Sequence, residues 1–271
     1  MDYPLTAIIS DLHANEPALE TALADARSRG ARRFVCLGDA VGYGAKPRFV
    51  LDWVMRLCVA KPDAPAEFGP LEPGLCLQGN HEYALLESAE DFNPKARAAI
   101  EWTHEELTNG GARDRGWDYW DFIGELKPLM RDEVAMFAHG SPRDPVREYL
   151  VPRDNQDEDK MRACFAQMDR SVCFVGHSHV PAIFREDGQL VLPRGTEGPF
   201  DLGFASGARA IVNTGSVGQP RDGDPRLSYV MFDGATVTFV RCDYDVAAAQ
   251  HAIREVPGLP DYLAERLAVG R

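Results

Sequence analysis

The sequence predicts a layered α/β fold with at least one mixed β-sheet. Short apolar runs alternate with helix-like stretches early in the chain, and strand-like runs dominate its second half. The length, 271 residues, suffices for one large α/β domain or two small ones and for a proper core.

The elements follow in order. "TAIIS" (6–10) reads as a strand. "NEPALETALADARSRG" behind it reads as a helix that Asn15 can cap, with Pro17 in the first turn and Gly30 as terminator. "RFVCL" (33–37) is a second strand, followed by "KPRFVLDWVMRLCVA" with apolar residues at helical spacing. After "LCLQ" (75–78) a helix opens near Asn93-Pro94 and runs to Gly110. "VAMFAH" (134–139), "VCFVG" (172–176), "AIFRE" (182–186), "QLVLP" (189–193) and "RAIVN" (209–213) read as further strands. "SYVMFD" and "TVTFVRC" flank a Gly-containing turn at 234, the pattern of a hairpin. Helical patterns recur near 157–169, 244–255 and 260–269. There is no internal repeat, and the stretches 61–74, 141–156 and 193–208 read as loop excursions. Residues 1–271 are therefore expected to form a single domain.

Hydrophobic residues make up 45% and charged residues 26% of the chain, as in soluble globular proteins. No apolar run approaches the ~20 residues that cross a bilayer, and "MDYPLTAIISD" lacks the charged start and cleavage site of a signal peptide. The expected location is cytoplasmic, with no membrane partner. The six cysteines are irregularly spaced without C-x-x-C, and Cys36, Cys76 and Cys173 sit in strand-like runs, so they read as reduced core thiols. Lys plus Arg number 29 against 42 Asp plus Glu, a formal charge of −13 that argues against a broad nucleic-acid surface. An anionic substrate is still allowed, because bound cations can dominate the local field.

Five strands end in polar clusters. "AIISDLHAN" delivers Asp11, His13 and Asn15; "FVCLGDAVGYG" delivers Asp39; "LCLQGNHEY" delivers Asn80, His81 and Glu82; "AMFAHGSP" delivers His139; "FVGHSHVP" delivers His177 and His179. Each fragment alone has an ordinary explanation, a cap, a turn or a hydrogen-bonded histidine. Together they are harder to explain so: five of the seven histidines lie just past apolar strand runs, while His104 and His251 fall on helical surfaces. In open α/β sheets ligands bind beyond the carboxyl ends of strands, where such clusters converge. Asp oxygen, imidazole nitrogen and Asn oxygen without Cys suit divalent Mn, Fe, Zn, Co or Mg. There are more donors than one ion needs, and two ions sharing a carboxylate is the economical solution.

The set D-x-H, G-D, G-N-H-E, H-G and G-H-x-H, in this order, resembles the calcineurin-like metallophosphoesterase superfamily. It is closest to the small bacterial and archaeal phosphodiesterase-type branch, which also shows a segment like "NTGSVGQPRDGDPR" (213–226). The resemblance spans residues 11–226 and implies two packed mixed β-sheets flanked by helices, an α/β/β/α sandwich. It further implies two divalent ions, Mn foremost with Fe, Zn, Co, Ni or Mg as alternatives. One would be held by Asp11, His13, Asp39 and His179, the other by Asp39, Asn80, His139 and His177, with Asp39 bridging. His81 matches the non-ligand histidine facing the scissile ester, and Glu82 is expected to orient His81 or its loop. The implied reaction is attack of a metal-bridging hydroxide on a small phosphodiester or phosphomonoester.

The protein phosphatases of the superfamily carry arginines where this chain has Gly42-Tyr43-Gly44 and Gln78, which weakens that assignment. Arg143, Arg147 and Arg221 are expected to grip phosphate instead, with Asn15 also at the substrate. Tyr43 and Tyr83 either line the cleft or pack. A protein phosphatase, a dinucleoside-polyphosphate hydrolase and a non-catalytic scaffold remain as alternatives.

Overall fold

Period-two burial organises the molecule. A computed structural model describes residues 3–109 and 113–271. In strand β1 (Thr6–Ile9), Ile8 points to one face while Ala7 and Ile9 point to the other. Strand β2 (Arg33–Cys36) repeats this, with Val35 on the Ile8 side and Phe34 and Cys36 opposite. Alternating apolar residues on both faces mean a sheet covered on both sides.

One six-stranded sheet has the order β3-β2-β1-β11-β12-β9, from β3 (Leu75–Cys76), β11 (Leu227–Phe232), β12 (Thr236–Cys242) and β9 (Glu197–Asp201). β1, β2 and β3 are parallel, and β11, β12 and β9 continue antiparallel. The second sheet has the order β4-β5-β6-β10-β7-β8, from β4 (Leu129–Arg131), β5 (Ala135–Ala138), β6 (Val172–Val175), β10 (Ala210–Asn213), β7 (Ala182–Arg185) and β8 (Leu190–Val191). Here β5, β6 and β10 are parallel. The two mixed sheets face each other across one core in which Ile8, Val35, Val230 and Phe232 meet Phe137, Val172, Phe174 and Val212. Phe174 spans the gap, stacked at 5.8 Å on Phe137 and edge-on at 4.9 Å to Phe232.

Helices cover the outer faces, completing the expected α/β/β/α order. α1 (Glu16–Ser28) starts at an Asn15 cap and lays Ala18, Leu19, Ala22, Leu23 and Ala26 on the first sheet. α2 (Pro47–Leu57) does the same with Val50, Leu51, Val54 and Leu57. α3 (Asn80–Leu86), α4 (Pro94–Asn109) and α5 (Arg113–Glu125) lie beyond. α6 (Glu158–Ala166) covers the second sheet with Met161, Cys164 and Phe165. α7 (Val246–Arg254), α8 (Tyr262–Glu265) and a 3-10 turn over Arg266–Val269 pack on Tyr43.

The excursion 193–208 is not all loop: Glu197–Asp201 pairs with β12. Its exposed, Gly- and Pro-containing sequence carries no burial alternation, so the ladder of its neighbour decides its conformation. The expected stop at Gly110 lies outside the described residues. All six cysteines are free, five of them buried. No helix among the described residues is long and apolar enough to cross a membrane.

Candidate metal centre

Parallel pairing places the predicted clusters together. β1, β2 and β3 run side by side and end at Asp11, Asp39 and Asn80, while β5 and β6 end at His139 and at His177 and His179. Their loops take an unusual backbone. Asp11, His13, Asp39, His177 and His179 all have positive φ, between 47° and 63°. Non-glycine residues adopt this region at a cost and mostly where the surroundings impose it. The glycines before Asn80 and His177 serve close approach: a Cβ at Gly79 would collide with Asp39 Oδ1, and one at Gly176 with Ser10 and Asp11.

Two donor groups result, both buried and sharing Asp39. Asp11, His13, Asp39 and His179 form one, and Asp39, His139 and His177 the other, with donor atoms in each within 4.8 Å of one another. Asn80 Oδ1 joins the second at 3.1 Å from His139 Nε2. Asp39 Oδ2 faces both, 3.8 Å from His13 Nε2 and 3.3 Å from His139 Nε2. All seven side chains expected as ligands are therefore brought together.

The hydrogen bonds fix which nitrogens are free. His13 Nδ1 lies 3.1 Å from the Val41 carbonyl, His139 Nδ1 3.1 Å from that of Leu37, and His177 Nε2 3.1 Å from that of Arg147; His179 Nδ1 meets that of Gln219. A carbonyl only accepts, so each tethered nitrogen carries a proton and, in the neutral ring, the other presents a lone pair. Those lone pairs converge: His13 Nε2 sits 3.2 Å from His179 Nε2, and His139 Nε2 3.1 Å from His177 Nδ1. His179 Nε2 also stands 3.0 Å from Asp11 Oδ1, a buried atom with no hydrogen-bond partner among the described residues. Lone pairs aimed at one another in a buried space are unfavourable without a cation among them. The mixed O/N donor set thus fits divalent ions.

Electrostatics agree. Burial pushes His13 and His179 down, and lowers His177 to about 3 and His81 to about 4. Burial also opposes charge on His139, but the carboxylates of Asp39, Asp11 and Glu82 outweigh it and raise that ring to about 9. Asp11 and Asp39 stay ionised against burial because imidazoles surround them. A divalent cation would take the place of the proton that this cluster attracts to His139.

His81 stands beside the groups but belongs to neither. Its Nε2 is 4.0 Å from Asp39 Oδ2, and its ring packs against His13, Tyr43 and Phe92. Its backbone N–H donates to Asp39 Oδ1 at 2.9 Å, while its buried Nδ1 has no partner among the described residues. Among the described residues, the Glu82 carboxylate bonds backbone N–H groups of the loop and not that ring. Fully buried, it accepts from the N–H groups of Asp39 (2.8 Å), Gly79 (2.9 Å) and Val41 (3.3 Å), so it organises the loop instead. Burial and the Asp39 charge raise its carboxyl to about 7.

Two of the expected substrate residues already have partners within the fold. The Asn15 amide is used within the fold, its oxygen accepting from Ala18 N and its nitrogen donating to Gly218 O at 2.8 Å. Arg143 is held by both carboxylate oxygens of Glu148. Arg147 and Arg221 do reach the site. Arg147 lies over Tyr83 at 5.0 Å, and with Tyr43, Asn80, Tyr149 and His177 it lines a cleft of about 260 Å³. Arg221 lies 5.8 Å from the Tyr43 ring, and its N–H donates to the His179 carbonyl at 3.3 Å. Tyr43 is nearly buried and packs on His13 and His81, whereas Tyr83 lines the cleft. Tyr149, stacked at 3.7 Å on His177, and Arg266, 5.9 Å from Tyr43, were not foreseen: one lies in a predicted loop, the other in a plain helical pattern. His104 and His251 are exposed as expected, His104 against Trp120.

Comparison with known proteins gives a consistent result. A family model described as the calcineurin-like phosphoesterase superfamily domain matches residues 5–236. The chain is 33% identical over 276 residues to an uncharacterized protein of Methanocaldococcus jannaschii, covering 98% of both. A solved metallophosphoesterase from Sphaerobacter thermophilus is 36% identical with a TM-score of 0.80, covering 100% of both chains. A hypothetical protein from Pyrococcus horikoshii shares the fold, with a TM-score of 0.73 at 16% identity over 98% of both chains.

Proposed function

The chain belongs to the calcineurin-like phosphoesterase superfamily, and from that premise we propose that it is a metal-dependent hydrolase of a small phosphodiester or phosphomonoester. One observation carries the reading: two buried donor groups share Asp39, and each histidine in them is tethered so that a lone pair turns inward.

Asp11, His13, Asp39 and His179 would hold one divalent ion, and Asp39, Asn80, His139 and His177 a second; the mixed O/N donors suit Mn, Fe, Zn, Co or Mg, and the family resemblance puts Mn first. When bound, such a pair supplies charge for the phosphoryl oxygens and an acidified water as nucleophile. The protein's own residues do the rest. Asp39, fixed by the His81 N–H and by the loop that Glu82 ties down, sets the spacing of the two groups. Burial keeps His81 neutral near pH 7, which supports hydrogen-bond donation to the leaving oxygen over full proton transfer. Arg147 and Arg221 at the rim would orient the phosphate.

Donors from both sheets support treating residues 1–271 as one functional unit, and six free thiols support a reducing, cytoplasmic compartment. Bound-metal analysis with a Mn-supplemented assay tests the reading. The substrates to compare are p-nitrophenyl phosphate, its bis-ester, a phosphopeptide and a dinucleoside polyphosphate. Turnover of either nitrophenyl ester with about two ions per chain is expected. No retained metal and no turnover would point to a binding scaffold.

A further inference from the structure

Arg221 and Arg266, both in the last third of the chain, meet the same aromatic ring. Arg226, Arg241 and Arg254 are each paired with an aspartate, namely Asp224, Asp222 and Asp261. Among the described residues, no side-chain carboxylate lies within 4.0 Å of Arg221 or Arg266. Arg221 donates from Nε and Nη2 to Gln219 Oε1, and Arg266 donates from Nε to a terminal carboxylate oxygen of Arg271, the last residue. Both guanidinium carbons lie over one ring, Tyr43, at 5.8 and 5.9 Å. Burial and the neighbouring Arg221 charge depress Arg266 below the ordinary arginine range. Two like charges set against one ring repel each other, and with no Asp or Glu beside either, an anion between them would relieve that repulsion.

The segments that carry them are joined. Gly223 N–H donates to the Gly270 carbonyl at 3.0 Å, and Arg271 N–H to that of Arg266 at 3.2 Å, which ties the C-terminal turn to the loop that holds Arg221. The two residues are graded outward from the metal centre. The Arg221 backbone N–H donates to the carbonyl of the donor residue His179 at 3.3 Å. Arg266 reaches Tyr43 at 5.9 Å from the C-terminal turn and lies 5.5 Å from the Tyr262 ring. An anion bridging both guanidiniums would lie farther out than a phosphate at the donor groups.

We propose that Arg221 and Arg266 form a clamp for a second oxyanion of the substrate, a phosphate or carboxylate borne by the part of the ester that leaves. This rests on the phosphoesterase reading, and makes the preferred substrate one with at least two anionic groups.

The test is calorimetric binding to Mn-saturated protein of methylphosphonate, phosphonoacetate and methylenediphosphonate, which carry no second anion, a carboxylate and a second phosphonate. The two dianionic probes should bind at least about tenfold more tightly than methylphosphonate. Arg266→Ala should remove most of that advantage, leave methylphosphonate within about twofold, and keep metal content and melting temperature. Arg266→Lys should restore part of it. Whichever dianionic probe loses more identifies carboxylate or phosphate as the second group. Equal affinity for all three probes, no binding of any, or an equal loss for all three in Arg266→Ala would overturn the clamp. Because binding is read without turnover, an inactive protein that still discriminates the probes would remove the hydrolase reading and leave the clamp standing.

Discussion

Replacing Glu82 tests how the centre is held without touching a donor atom. Its carboxylate accepts strong hydrogen bonds from Asp39 N and Gly79 N at 2.8 and 2.9 Å, and a weaker one from Val41 N at 3.3 Å. In Glu82→Ala those buried donors lose their acceptor, at about 1–3 kcal/mol each. Removing a carboxylate whose own burial is unfavourable offsets part of this, so the net loss should be about 3 kcal/mol. At roughly 2 °C per kcal/mol for a chain of this length, the melting temperature should fall by about 6 °C. The Asp39 loop would no longer be pinned to the start of α3, and Mn affinity should drop about 10- to 100-fold. Glu82→Gln keeps one oxygen for the Asp39 and Gly79 donors and turns an amide N–H₂ toward Val41 N. It should lose only about 1 kcal/mol and most of the metal-binding defect should vanish. Differential scanning calorimetry and Mn titration read both quantities. If Glu82→Ala melted within a degree of the parent and bound Mn equally well, the role assigned to this side chain would be wrong.

Asp39→Asn should strip both ions together, whereas His81→Ala should keep metal content while losing about 10²- to 10⁴-fold in turnover; elemental analysis beside the assay separates the two. Phe174→Ala, which removes the ring spanning the two sheets, should destabilise the fold by about 3–5 kcal/mol in urea unfolding. Glu148 is held down to about 2 by its hydrogen bonds to Arg143, so its contribution is present above about pH 4.5 and lost as the pH falls toward 2. With Arg143 partly exposed, the contribution is discounted to about 1 kcal/mol, and the stability gap between parent and Glu148→Gln should close on acidification.

The strand ends were legible because two local signals coincide there: an apolar run that ends abruptly, and a polar residue that has no reason to follow it. Residues such as Asp11, Asp39 and His139 stand at those junctions, and parallel pairing brought them together. What the sequence hid is set by distant partners. Glu197–Asp201 becomes a strand only because β12 offers an edge. Asn80–Leu86 is a short helix opening on Gly79, without the Ser or Asp that usually marks such a start. Arg266 sits in an unremarkable helical pattern, and only the tertiary fold sets it over Tyr43. Arg143 shows the opposite case, a partner only five residues away in Glu148.

The left-handed backbone at Asp11, His13, Asp39, His177 and His179 bears on any attempt to transplant this chemistry. At about 1–3 kcal/mol each, such conformations together rival the net stability of a whole domain. A host scaffold given the same side chains on relaxed loops would point them elsewhere. Grafting the centre therefore means carrying over entire turns, glycines and tethering carbonyls included.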